Sequence, residues 1–183
     1  MQKIISLFMR NYDTDYLVRN EVVPGAEWVI AGEGIATRKW DGMSVLVRSN
    51  KLFKRYELNQ GRVAPPGFEP AQEPDAITLE QPGWIPADDD RRFIIGYRNT
   101  TGVIDGTYEL CGPGVNKNEE GFTELFMLRH GGVVFHDAPR TFDKLKDWFS
   151  DHDIDGLVWH HNDGRMVKIK KRDFGMRRKV GGQ

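Results

Sequence analysis

Residues 36–44 read Ala-Thr-Arg-Lys-Trp-Asp-Gly-Met-Ser and place Lys39 two residues before the pair Asp41-Gly42. An amine becomes nucleophilic once a nearby cation or desolvation lowers its pKa, and it can then attack the α-phosphorus of a bound nucleotide. An Asp-Gly pair favours a tight turn and puts a carboxylate beside that lysine. The alternative is an ordinary surface turn after a strand, so the rest of the sequence has to decide between the two.

Length and composition are those of a globular protein. The chain has 183 residues, 39% hydrophobic and 29% charged, which is enough for a real core in one domain over residues 1–183. The single cysteine, Cys111, cannot form an internal disulfide and suits a reducing compartment. No run approaches a membrane span and the first residues lack a signal-peptide pattern, so we expect a cytoplasmic protein without membrane contact.

Basic residues crowd the C-terminal end, although the formal net charge is only −1. Between residues 168 and 179 the lysines and arginines are accompanied by a single acid, Asp173. An excess of positive charge of this kind can bind phosphates. A solvated basic tail, here residues 171–183, is the commoner explanation.

Short β-prone segments precede and include the lysine motif. We expect extended segments at 3–8, 28–30 and 35–39, separated by turn-forming residues. Lys39 would then stand at a strand end, facing a cleft.

A hairpin is predicted directly after the motif. The β-prone runs 43–48 and 51–56 are joined by the two turn-forming residues Ser49-Asn50. On such a hairpin Lys54 and Arg55 point to opposite faces, so one of them can share a face with the nucleophile.

Six of the nine prolines lie between Gly61 and Pro86. The pattern predicts a long irregular excursion, which is typical of a lid, a binding loop or a disordered insert, and we mark about 61–90 as a possible mobile insert. The run Asp88-Asp89-Asp90 is better explained as an N-terminal cap for a helix over 91–97 than as a metal site.

A second stretch that is rich in candidate functional residues and turn-forming residues spans 105–118. Alternation predicts a strand from Gly106 to Leu110 that a Gly-Pro-Gly turn ends, with Glu109 on the face opposite Tyr108 and Leu110. A carboxylate on such a strand is expected to be either exposed to solvent or functional. One functional possibility is a hydrogen bond to a ribose hydroxyl.

Two more strands and a helix follow. We expect strands at 125–129 and 133–135 around a turn at 130–132, and then a helix capped by Thr141. The apolar face of this helix is assigned to the core. Its members are Phe142, Leu145, Trp148 and Phe149.

The last two strands are predicted at 154–160 and 166–170, joined by a hairpin turn at 162–164. Lys168 and Lys170 share one face of the returning strand, close to Asp155 on its partner. Burial of these two lysines would be energetically unfavourable unless they bound anionic ligands. A zinc site at His160 and His161 is disfavoured because no third ligand stands at useful spacing.

Taken in order, these motifs resemble the collinear motifs of the covalent nucleotidyltransferases, the family of ATP-dependent RNA and DNA ligases and mRNA capping enzymes. Their surroundings are most similar to those of small RNA-ligase-like proteins. The resemblance covers about residues 29–175. Its motifs are Lys39-Trp40-Asp41-Gly42, Lys54-Arg55, Tyr108-Glu109-Leu110-Cys111-Gly112-Pro113, Asp155-Gly156-Leu157-Val158 and Val167-Lys168-Ile169-Lys170.

The resemblance implies an α+β nucleotidyltransferase fold, the adenylylation domain of a ligase, with two antiparallel sheets and flanking helices around an ATP cleft. It makes Lys39 the adenylylated nucleophile and Asp41 and Gly42 its turn. Lys168 and Lys170 would contact the α-phosphate in adenylylation and transfer.

The remaining implied roles concern nucleotide and metal. Arg55 would touch a phosphate, and Glu109 would hold the ribose and help to bind a metal. Asp155 stands where ligases usually have Glu, and would bind Mg²⁺ or Mn²⁺. An adenine-stacking aromatic is also implied, and both Phe122 and Phe126 remain candidates.

The implied activity is ATP-dependent RNA ligation, in which AMP passes from a lysine to a 5′-phosphate end that is then sealed to a 3′-hydroxyl. We expect a monomer, and the few residues after the last motif suggest that the C-terminal domain of many ligases is missing. The alternatives are a DNA ligase, a capping-type nucleotidyltransferase, or a catalytically silent nucleic-acid-binding module of the same fold.

Overall fold

The protein is described by a computed structural model that covers residues 4–76 and 78–179. In these residues the chain is α+β, with three sheets and few helices. It divides into two compact units, residues 41–129 and residues 4–40 with 130–179, called here the first and second units.

The first unit is built on a six-stranded antiparallel sheet with strand order β10-β9-β5-β6-β8-β7. Helix α2 (Arg91–Asn99) packs on it, and Phe93, Leu110 and Val45 lie in the core of the unit. The strands are β5 (Met43–Arg48), β6 (Lys51–Leu58), β7 (Glu69–Pro70), β8 (Gln81–Pro86), β9 (Gly106–Cys111) and β10 (Phe126–Arg129).

The second unit holds a four-stranded sheet of order β1-β12-β11-β4 and a two-stranded sheet of β2 and β3. The helices are α1 (Glu27–Ile30), α3 (Phe142–Asp151) and a 3₁₀ turn (Lys171–Phe174). The strands are β1 (Ile5–Ser6), β2 (Phe8–Arg10), β3 (Val18–Val22), β4 (Ile35–Lys39), β11 (Gly156–His160) and β12 (Met166–Lys170).

The predicted hairpins are confirmed. Strands β5 and β6 pair around Ser49 and Asn50, whose positive φ values of 52° and 59° suit a two-residue turn matched to strand twist. Strands β11 and β12 pair antiparallel around the predicted turn at 162–164, although β11 begins at Gly156 instead of residue 154. Asp90 caps α2 by accepting a hydrogen bond from the Arg92 N–H, as expected.

The face of α3 assigned to the core lies there. Leu145 and Phe149 are fully buried, and Phe142 and Trp148 pack against them. The helix begins after Thr141, but the Thr141 hydroxyl makes no capping hydrogen bond, which corrects that detail.

Four predictions of local structure are wrong. Residues 28–30 belong to helix α1, because a three-residue apolar run is too short to show a period and burial of Trp28 and Val29 decides its conformation. Residues 81–86, assigned to the irregular excursion, form β8, where Pro82 and Pro86 are accommodated. Residues 133–135 were predicted as a strand, but they form only an isolated bridge, between Val134 and Thr37 of β4.

The fourth correction concerns strand direction. The sheet of the second unit is mixed instead of antiparallel, because β1 pairs parallel with β12. None of the helices in the described residues is long and apolar enough to cross a membrane.

Candidate active site

Strand β11 is the centre of the candidate site in the second unit. It pairs with β4 on one side and β12 on the other, and Gly156 stands opposite Lys39 in β4 and Lys170 in β12. Because side chains alternate along a strand, Lys39, Lys170 and Lys168 share one face of the sheet. The predicted grouping of these lysines is therefore present.

The opposite face of the same strands anchors this arrangement. Val167, Ile169, Leu157 and Trp159 are fully buried in the core of the second unit. A register slip of one residue would send the lysines into this core, so burial of the apolar set holds the lysines on the other face.

Gly156 allows β11 and β12 to approach each other closely. A Cβ atom built there would lie 2.2 Å from the Ile169 carbonyl oxygen and 3.0 Å from the Lys170 Cα, both backbone atoms. The glycine of the Asp155-Gly156 pair is thus required by close packing of β11 on β12.

Lys39 and Asp155 form an ion pair. The Lys39 Nζ lies 2.7 Å from the Asp155 Oδ2, and the two side chains are only 20% and 10% exposed. The Lys170 Nζ lies 3.9 Å from the same oxygen. One largely buried carboxylate therefore faces two ammonium groups.

Lys168 is the least compensated of the three lysines. Burial lowers its pKa to about 8, helped by the charges of Lys170 and Lys39 and opposed by Asp173 and Asp155. Burial also lowers the pKa of Lys170, as does the charge of Lys39. Three lysines around Asp155 leave an excess of positive charge on a half-buried face, which suits an anionic ligand such as a phosphate.

The Asp41-Gly42 turn belongs to the first unit, where Glu109 holds it. The Glu109 Oε1 accepts a hydrogen bond from the Gly42 N–H at 3.1 Å, and its Oε2 accepts one from the Ser44 hydroxyl at 3.1 Å. A Cβ at Gly42 would come within 2.2 Å of the Leu110 carbonyl oxygen, so glycine is required here too. Glu109 is buried, and its two oxygens anchor the loop that follows the motif lysine.

Two further residues position this turn and were missed from the sequence. The Glu120 Oε1 accepts a hydrogen bond from the Asp41 N–H, and the Asn116 Nδ2 donates to the Asp41 Oδ1 at 3.0 Å and to the Gly42 carbonyl at 3.1 Å. Asn116 adopts a left-handed conformation, with φ 46°, which asparagine tolerates. The only sequence signal for it is an asparagine just after a Gly-Pro-Gly turn.

Arg55 lies on β6 of the first unit. Its Nε donates to the Glu57 Oε1 at 2.9 Å, and its guanidinium carbon lies 5.8 Å from the centroid of the Trp84 ring. Its neighbour Lys54 forms an ion pair with Asp90. The aromatic candidates Phe122 and Phe126 contact each other edge to face.

The described residues around Asp155 supply few ligands for a metal ion. In residues 4–76 and 78–179 there is no group of three or more His, Cys, Asp or Glu side chains that could hold a metal ion. Asp155 offers one carboxylate, but the surrounding lysines disfavour a bare divalent cation. Mg²⁺ commonly keeps its waters and is held by one or two carboxylates together with substrate phosphates.

The basic C-terminal segment makes intramolecular contacts. Lys171 is buried and pairs with Asp153, and Asp173 is buried in an ion pair with Arg10. The expectation of a solvated tail is therefore wrong for Lys171, whereas Arg172 and Arg177 are exposed.

Comparison with known proteins places these features in a family. The sequence profile of the RNA ligase 1 family matches residues 86–182, more than half of the chain. The chain belongs to the RNA ligase 1 family. The matched region contains Glu109, Asp155, Lys168 and Lys170, but begins after Lys39 and the Asp41-Gly42 turn.

Individual relatives agree with this assignment. RNA ligase 1 of Mus musculus is 29% identical over a region covering 40% of this chain and 25% of the relative. RNA ligase 1 of Danio rerio is 27% identical, over 41% of this chain and 26% of the relative. The chain thus matches about a quarter of the length of these curated relatives.

Proposed function

We propose that the chain is an ATP-dependent RNA ligase of the nucleotidyltransferase fold that acts through a lysyl-AMP intermediate. The observation that carries the proposal is the Lys39–Asp155 ion pair at 2.7 Å on the face that Lys168 and Lys170 share. Membership of the RNA ligase 1 family supports ligation as the reaction class and ATP as the substrate.

In the first step the Lys39 amine attacks the α-phosphorus of ATP. A P–N bond forms, the bond from phosphorus to pyrophosphate breaks, and the nitrogen releases a proton to leave the phosphoramidate N–H. Before the attack, the Lys39 ammonium has to lose another proton to become the amine. Asp155 is placed to accept that proton or to pass it to water, because its Oδ2 lies 2.7 Å from the Lys39 Nζ.

Lys168 and Lys170 supply the charge that this step needs. Negative charge grows on the departing pyrophosphate and is spread over the α-phosphate oxygens, and fixed cations in a water-poor setting stabilise it. The phosphate also relieves the mutual repulsion of the lysines, since it brings further negative charge to a face where Asp155 faces two of them.

The later steps use the same chemistry. A 5′-phosphate oxygen of RNA attacks the phosphorus of lysyl-AMP and releases the lysine, which gives an AMP-capped 5′ end. A 3′-hydroxyl then attacks the 5′-phosphate, and AMP leaves. Mg²⁺ or Mn²⁺ enters with ATP as part of the substrate, with Asp155 and Glu109 as the proposed carboxylates near it.

The first unit contributes nucleotide-binding residues in this proposal. The resemblance assigns Asp41 and Gly42 to the turn after the nucleophile, Glu109 to the ribose, and Arg55 to a phosphate. Glu109 already hydrogen-bonds Gly42 and Ser44, so its role includes positioning the turn.

The proposal is tested with matched nicked duplexes that carry a 5′-phosphate and a 3′-hydroxyl in RNA or in DNA. The full chain is expected to join RNA ends faster in the presence of ATP and Mg²⁺, and joining should weaken with rising salt because phosphate contacts carry the affinity. Equal joining of both substrates would remove the RNA preference, and no AMP transfer to either 5′ end would favour a silent binding module.

A further inference from the structure

Thr37 and His160 extend the lysine face along the strands of the second unit. Thr37 lies two residues before Lys39 on β4, and His160 lies four residues after Gly156 on β11, so both share the face of the lysines. The Thr37 Oγ1 lies 3.0 Å from the His160 Nε2 and 3.1 Å from the Val158 carbonyl oxygen.

These two contacts favour the tautomer of His160 that carries its proton on Nε2. The Val158 carbonyl can only accept, and a Thr37 hydroxyl that donates to it accepts from the His160 Nε2–H. The Nδ1 of a neutral His160 is then a hydrogen-bond acceptor. It has no hydrogen-bond partner in the part of the chain that the structure describes.

His160 is uncharged near neutral pH. Burial lowers the pKa of its imidazole, and the nearby His130 lowers it further. Unlike the three lysines, a neutral imidazole does not attract a phosphate. Its acceptor nitrogen suits a neutral polar group that donates a hydrogen bond.

The three lysines occupy two successive rows of the shared face, and His160 occupies the next row. Val158 pairs with Thr37 and with Lys168, which places it on the shared face between the Lys39 and His160 levels. Four residues of strand correspond to roughly 13 Å. The row of Lys39 and Lys170 and the row of His160 are thus separated by a length similar to that from the phosphates of a nucleotide to the edge of its base.

We propose that His160, anchored by Thr37, reads the 6-position of the nucleobase whose phosphates the lysines bind. The inference rests on the proposed function and deepens it. The 6-amino group of adenine can donate to the His160 Nδ1. The 6-oxo group of guanine presents lone pairs to the same nitrogen and is rejected, so the pair makes the enzyme select ATP over GTP.

The test compares rates of lysyl-nucleotide formation by the full chain with ATP, GTP and purine riboside triphosphate, which lacks the 6-amino group. The wild-type protein is expected to prefer ATP to purine riboside triphosphate by about tenfold or more. His160→Leu should bring that ratio close to one. His160→Asn, whose amide oxygen can replace the Nδ1 acceptor, should keep part of it.

Thr37→Val and His161→Asn complete the design. Thr37→Val removes the anchor and should lower the ratio without removing the acceptor. His161 is the matched control, because its Nε2 pairs with Glu33, and its substitution should leave the ratio unchanged.

The possible results are separable. A wild-type protein that forms the lysyl-nucleotide equally fast with ATP and with purine riboside triphosphate would overturn the base-reading role. So would a His160→Leu variant that is slowed equally with these two nucleotides. The wild-type comparison remains decisive if His160→Leu fails to fold. A wild-type protein that forms no lysyl-AMP at all would overturn the proposed function itself.

Discussion

The Lys39 Nζ and the Asp155 Oδ2 are 2.7 Å apart, and the residue after Asp155 stands opposite both Lys39 and Lys170 in the sheet. A pair made this way depends on the register of three strands, since Lys39, Asp155 and Lys170 are far apart in sequence. The candidate catalytic lysine and its carboxylate are thus positioned by the core of the second unit.

Substitution of Asp155 separates its charge from its turn-forming role. Asp155→Asn should lose lysyl-AMP formation almost entirely, because it leaves Lys39 without its negative partner, whereas Asp155→Glu should keep a measurable fraction. We expect Asp155→Asn to cost about 1–3 kcal/mol of stability as well. Labelling rates across a Mg²⁺ titration check this. A near-normal Asp155→Asn protein would leave Asp155 only a turn residue beside Gly156.

Gly156→Ala tests the strand packing that creates the pair. The added Cβ meets backbone atoms that cannot move cheaply, so the variant should lose about 1–3 kcal/mol in urea unfolding. The control is Gly131→Asn, at a left-handed position, φ 77°, with open space around it. Asparagine tolerates that conformation, so a loss as large as that of Gly156→Ala would contradict the packing argument.

Lys168→Met should stabilise the ligand-free protein at pH 7 and weaken ATP binding. The native pKa of about 8 lies below the ordinary 10.5, so between these values the unfolded chain binds more protons and stability rises with pH. Lys168→Met should lack that rise. ATP binding by the parent should weaken as pH rises through about 8, because the ammonium is lost. Thermal unfolding from pH 7 to 10 checks the predicted change in stability, and ATP titration over the same range checks the predicted change in affinity. Identical pH profiles for the parent and Lys168→Met would refute both predictions.

Glu109 variants distinguish positioning from ligand binding. Glu109→Ala leaves the part-buried Gly42 N–H and Ser44 hydroxyl without their acceptor, so we expect a loss of about 1–3 kcal/mol. Glu109→Gln keeps one acceptor and, after rotation of the Ser44 hydroxyl, a second hydrogen bond, so its stability should be close to that of the parent. A sharp fall in its lysyl-AMP formation would then report a role for the charge. Full activity of Glu109→Gln would leave Glu109 with positioning alone.

Local pattern predicted much of the fold. The Ser49-Asn50 turn and the alternation in residues 166–170 are short-range signals, and the hairpins they predicted are present. The contacts of Asp41 with Asn116 and Glu120 were not predictable, because they join residues more than seventy positions apart through an irregular loop. Helix α1 was missed because tertiary burial overrode the β-propensity of Trp28 and Val29.

The central claim is that Lys39 carries the AMP. The direct measurement is incubation of the full chain with α-labelled ATP and Mg²⁺, with the adduct located by peptide mass spectrometry. We predict one AMP on Lys39, no label on Lys39→Ala, and normal label on the control Lys51→Ala, whose lysine is exposed on β6. Labelling of Lys39→Ala at the level of the parent would contradict the account.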